Sequence, residues 1–87
     1  MWRVIVRISF FHDFGSRLRN HLAVLFAEMG LANTRTGTWE SDGVEPLLAA
    51  ERLGRILAAV ADVRSVTGAD PSAELNHFWI YIDRAEG

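Results

Sequence analysis

Trp2-Arg3-Val4-Ile5-Val6-Arg7-Ile8-Ser9-Phe10 alternates in character at every step. Successive side chains of an extended strand point to opposite sides. Trp2, Val4, Val6, Ile8 and Phe10 therefore form one apolar face, and Arg3, Ile5, Arg7 and Ser9 the other. The stretch from Asn76 to Arg84 repeats the pattern, with Phe78, Ile80 and Ile82 on one face and His77, Trp79, Tyr81 and Asp83 on the opposite one. The two stretches read as strands of one sheet, oily on one side and rich in arginine, histidine and aromatics on the other. Helices covering only the oily side leave the second face open.

Between these strands the period changes. His12 to Ser16 is a turn in which Asp13 or Ser16 is placed to cap a helix. Leu18, Leu22, Leu25, Phe26 and Met29 recur at helical spacing and predict a helix over Arg17 to Met29, closed by Gly30 in the left-handed position. The threonine-rich run from Asn33 to Glu40 reads as a second strand, and Ser41-Asp42-Gly43 as a hairpin turn. Val44 to Leu48 admits a short strand, but Pro46 fits the first turn of a helix better. A second helix is predicted from Pro46 or Leu48 to Asp62, with Leu53, Ile56, Leu57 and Val60 facing inward and Gly54 permitting a close approach to the sheet. Val63 to Thr67 is a brief strand candidate, and Gly68 to Glu74 a loop.

This order predicts a single α+β domain over residues 1–87, a ferredoxin-like two-layer sandwich with two helices on one face of an antiparallel-containing sheet. A chain of 87 residues with 49% hydrophobic content can build a core, although a domain of this size buries only roughly 60–65% of its unfolded surface. The absence of cysteine excludes disulfides and cysteine-bound zinc. Nothing is long and apolar enough to span a bilayer, and a strand pattern begins at once without a signal-peptide layout, so a cytoplasmic protein is expected. All nine basic residues are arginine, as an alanine-rich chain from a GC-rich bacterial genome would have. Charge divides unevenly: residues 1–38 hold five arginines against two acids, and residues 39–87 four against nine.

The run Leu18-Arg19-Asn20-His21-Leu22 through Met29-Gly30-Leu31, leading into Thr34-Arg35-Thr36-Gly37-Thr38-Trp39-Glu40, resembles the small CRISPR-associated endonuclease of the spacer-adaptation complex. It is also similar to virulence-associated protein D, a related ribonuclease. The likeness covers about half the chain. It implies a ferredoxin-like homodimer with nucleic acid as substrate or cargo, and a magnesium ion if the chain cuts phosphodiesters. Cleaving members carry an aspartate near the end of the first strand. Here that place reads Arg7-Ile8-Ser9-Phe10, with no acid before Asp13.

His12 and Asp13 are the candidate catalytic pair, as proton shuttle and as orienter or metal ligand. The plainer reading is a helix cap beside an exposed histidine. His21 reads as a solvent or boundary residue, and Glu40, Asp42 and Glu45 as a solvated loop. His77 has no second histidine or carboxylate at metal-ligand spacing, a cation on Glu40, Asp42 and Glu45 is the lesser reading of that loop, and no small-molecule cofactor is expected. Arg3, Ile5, Arg7, His77, Trp79, Tyr81 and Asp83 form the candidate interface, with Asp83 placed to pair across strands with Arg3 or Arg7. Burying an aromatic contributes roughly 2–3 kcal/mol, so two left on a wet sheet call for a partner. A second copy of the chain fits that need. A base-stacking platform with arginines on phosphates is the alternative, and the acidic second half opposes it. The expected role is therefore a structural or regulatory homodimer in a nucleic-acid-related defence or toxin–antitoxin-like system. A magnesium-dependent nuclease is the second possibility.

Overall fold

The computed structural model describes residues 1–63 and 71–84. Its elements run β1 (Trp2–Phe11), a 3-10 turn (Phe14–Ser16), α1 (Arg17–Glu28), β2 (Leu31–Arg35), β3 (Thr38–Ser41), α2 (Pro46–Ala61) and β4 (Glu74–Arg84). The four strands form one antiparallel sheet in the order β2-β3-β1-β4. This is an α+β arrangement with two helices against one side of the sheet.

The period-two pattern of β1 decides which side that is. Val4, Val6 and Ile8 are buried and pack with Leu18, Leu22 and Phe26 of α1 and with Ile56 of α2. Trp39 of β3 closes this core, its ring meeting Phe26 edge-on at 5.1 Å. Trp2, Phe10, Phe78 and Ile80 are partly buried at its margin. Leu18, Leu22, Phe26 and Met29 are all buried, as the helical spacing predicts. Gly30 at φ +81° ends α1.

Two readings of the stretch between α1 and α2 are corrected. The strand expected over Asn33 to Glu40 is two strands, joined by a tight turn at Thr36-Gly37. Gly37 holds φ +73°, a left-handed conformation that costs a residue with a Cβ roughly 1–2 kcal/mol. Its carbonyl accepts the Ile8 N–H at 2.9 Å. Asn33 braces the turn, its amide Nδ2 donating to the carbonyls of Arg35 (2.7 Å) and Thr38 (2.9 Å). Asp42-Gly43 is thus not the hairpin turn but part of the passage to α2. In that passage Val44 makes a bridge with Trp2, each N–H donating to the other's carbonyl at 2.6 and 2.7 Å.

Pro46 opens α2 at its first turn. The inward stripe of α2 runs through Ala49 and Ile56, while Leu57 is 47% exposed. One residue past Ile56, Leu57 is turned about 100° away from the core. Gly54 meets nothing within 4 Å of an added Cβ, so it does not serve a close approach to the sheet. Of the strand candidate Val63 to Thr67, only Val63 lies within the described residues, and it is buried.

Candidate interaction surface

The side of the sheet away from the helices is set by strand register. Opposite Arg7 stand Trp79 of β4 and Thr38 of β3, and Thr38 is in turn paired with Arg35 of β2. One row across the sheet therefore reads Arg35, Thr38, Arg7, Trp79. The next reads Ala32, Glu40, Ile5, Tyr81, and beyond the two rows lie the pairs Ser9–His77 and Arg3–Asp83. Every residue of the expected interface falls on this one face.

Its two ends differ in charge. At one end Arg3 Nη2 donates to Asp83 Oδ2 at 2.7 Å, and Arg3 Nη1 lies 3.5 Å from Glu40 Oε1. The hydrogen bond with Asp83, then its negative charge, raises the Arg3 pKa above its ordinary value, and Glu40 adds a smaller pull. Arg3 Nε is buried without a partner among the described residues. Asp83 and Glu40 are thus each engaged by Arg3 within their own chain.

At the other end the guanidinium of Arg7 lies 5.0 Å from the centre of the Trp79 ring, a cation–π contact. His77 stands beside the same indole, ring centres 5.2 Å apart. Neither Arg7 nor Arg35 is ion-paired with a carboxylate among the described residues. A shallow depression of about 190 Å³ opens here between Arg7, Ser9, Thr36, His77 and Trp79. Trp79 is 43% and Tyr81 50% exposed.

His12 and Asp13 lie off this face, in the turn after β1. Both carboxylate oxygens of Asp13 accept backbone N–H groups of α1, Leu18 at 2.9 Å and Arg19 at 3.0 Å. Asp13 is therefore the helix cap, while Ser16 makes no side-chain capping bond. The backbone takes left-handed φ at His12 (+56°) and at Ser16 (+54°) to bring Asp13 under the helix. The His12 ring sits 6.3 Å from that of Phe11 and 6.0 Å from that of Phe14. Among the described residues no three of His, Asp and Glu converge as metal ligands would. Asp13 thus serves as a capping carboxylate beside a histidine flanked by aromatics.

Sequence reasoning missed Arg35, Thr38 and Glu40 as members of the open face. Their signal was Gly37: a turn there starts a fresh alternation in which Thr38 and Glu40 face one side and Trp39 the other. Among the described residues no helix is long and apolar enough to cross a membrane. Compared with known proteins, the chain matches no family model, no curated protein and no solved structure.

Proposed function

We propose that this chain is a ferredoxin-like homodimeric interaction module, acting as a structural or regulatory partner in a nucleic-acid-related system of the defence or toxin–antitoxin kind. The frame is supported by the β-α-β-β-α-β order with strand order β2-β3-β1-β4, which is the split βαβ pattern of ferredoxin-like domains. The interaction role is carried by one observation: Trp79 and Tyr81 stand half-exposed on the face away from the helices. Half-buried aromatics gain the remainder of their burial only from a partner.

Arg7 and Arg35, unpaired among the described carboxylates, support the nucleic-acid setting. A guanidinium fork suits a phosphate, and base stacking suits an indole. The nuclease reading lacks comparable support, because Asp13 already accepts two helix N–H groups.

Sedimentation velocity across the micromolar range tests the proposal, with dimer expected to dominate. Persistent monomer removes the homodimer. Fluorescence anisotropy with single-stranded RNA and DNA is expected to show salt-dependent binding that weakens in Arg7→Ala. Equal binding by wild type and Arg7→Ala removes the nucleic-acid contact from this face.

A further inference from the structure

Among the described residues β4 is an edge strand, and apart from a bulge near its start its long central stretch lacks the usual protections. Natural edges are kept short, or broken by proline, lysine or an inward charge. β4 spans 11 residues, and its centre, Phe78-Trp79-Ile80-Tyr81-Ile82, has no charge, proline or glycine. A bulge at Asn76 interrupts its pairing with β1, which is regular from His77 onward. Among the described residues nothing pairs with its outer edge. Apolar surface shows on both of its sides, Trp79 and Tyr81 on the open face and Ile82, 44% exposed, on the helix-bearing one. A strand of this composition is an aggregation template unless something closes it. A two-fold pairing of like strands closes it with a single partner.

We infer that two copies of this chain join along β4, antiparallel, about a two-fold axis through Ile80 perpendicular to the sheet. The inference rests on the homodimer reading and specifies its interface. Directly opposed residues point to the same side of a sheet, so the axis must pass through a residue rather than between two. An axis through Ile80 sets Ile80 against its own copy and Phe78 against the partner's Ile82 on the helix-bearing side. On the open side it sets Trp79 against the partner's Tyr81 and His77 against the partner's Asp83. Apolar meets apolar, ring meets ring, and imidazole meets carboxylate. An axis through Trp79 opposes Asn76 in the bulge to the partner's Ile82. One through Tyr81 opposes Trp79 to the partner's Asp83 and Phe78 to the partner's Arg84. Of these three axes, only the Ile80 one sets no apolar residue of the strand centre against a charged or bulged one. Both sets of helices then lie on one side, and the Arg7–Trp79 contacts of the two copies share one continuous open surface.

The chain has no cysteine, so single introduced cysteines report the register. Directly opposed residues lie about 4.5–5.5 Å apart at Cα, within disulfide reach. Under mild oxidation Ile80→Cys is expected to run almost wholly as a covalent dimer. Ile82→Cys is expected not to, because its copy lies four residues along the strand, about 13 Å away. A mixture of Phe78→Cys and Ile82→Cys chains is expected to cross-link to each other, and it reads the same register should Ile80→Cys fail to fold by circular dichroism. A dimer in sedimentation that none of these cysteines captures overturns edge pairing and leaves the homodimer standing. Self-cross-linking of Ile82→Cys overturns the register. Monomer throughout overturns both the inference and the reading beneath it.

Discussion

β1 and β4 are the two longest strands and face each other along ten residue pairs, yet the same alternation leads to opposite fates. In β1 the apolar phase is sealed: Val4 and Val6 have no exposure and Ile8 almost none. In β4 the same phase is only half-covered, with Phe78 and Ile80 partly buried and Ile82 open. The difference is position. β1 has a strand on either side and both helices above it, whereas β4 has β1 on one side and no described strand on the other. Alternation tells which residues share a face, and only the sheet order tells how wet that face is. The chain thus seals apolar surface in β1 and leaves it exposed in β4.

The comparison breaks most visibly if the cover over β1 is removed. Phe26 has no exposure and meets Trp39 edge-on. Phe26→Ala is expected to cost about 3–5 kcal/mol, the range for emptying a core aromatic site. In a domain of marginal stability that unfolds much of the population, and urea titration followed by tryptophan fluorescence measures it. A loss under about 1 kcal/mol would mean that α1 is not the roof over β1.

Next in size is the turn that docks the β2–β3 hairpin on the end of β1. A Cβ on Gly37 would stand 2.6 Å from the Ile8 carbonyl oxygen, in a backbone conformation at φ +73°. Gly37→Ala is expected to cost roughly 2–3 kcal/mol from strain and displacement together. Gly54→Ala is its counterpart in open space, where the helix should gain about 0.5–1 kcal/mol. Opposite signs in parallel urea titrations check both.

This turn marks the limit of what the sequence made legible. β1, α1 and β4 were readable because each has one dominant period over ten or more residues. The β2–β3 hairpin was not, because Thr34, Thr36 and Thr38 are good strand formers on both sides of a lone glycine. The stronger dipeptide signal, Asp42-Gly43, lies a few residues later. With the strand read through Gly37 and Glu40 assigned to a solvated loop, the second carboxylate beside Arg3 stayed hidden. The stripe of α2 was blurred for a different reason. Leu57 is as apolar as Ile56, and composition cannot choose between adjacent residues when only one can face the sheet. The candidate surface itself was legible in two of its columns, Arg3 to Arg7 on β1 and His77 to Asp83 on β4. Their cross-strand partners depend on register, which a single strand does not state.

A smaller effect belongs to Asp13, on the helix that covers β1. Asp13→Ala removes two hydrogen bonds to the first turn of α1 and is expected to cost about 1 kcal/mol, the usual magnitude for losing a capping carboxylate. Asp13→Asn, which keeps one oxygen acceptor, should recover part of it. Incubation with RNA or DNA and magnesium separates this structural role from a catalytic one. If cleavage by the wild type disappears in Asp13→Ala while the fold survives, capping is not its whole function.

The smallest expected effect on the folded monomer comes from β4 and gives the comparison its sharpest form. Ile82 is about as hydrophobic as Val4, the residue directly paired with it on β1. Ile82→Ser is nevertheless expected to change monomer stability by less than about 1 kcal/mol, because much of the side chain is already in water. In the edge-paired dimer the same side chain meets the partner's Phe78, and symmetry makes that contact twice. A loss of about 1 kcal/mol at each weakens dimerisation roughly 30-fold, read as a shift of the sedimentation isotherm to higher concentration. Thermal unfolding should therefore depend on protein concentration in the wild type and lose that dependence in Ile82→Ser. A variant that unfolds like a core mutant at every concentration would put Ile82 inside the monomer's own packing, and the distinction between the two strands would be gone.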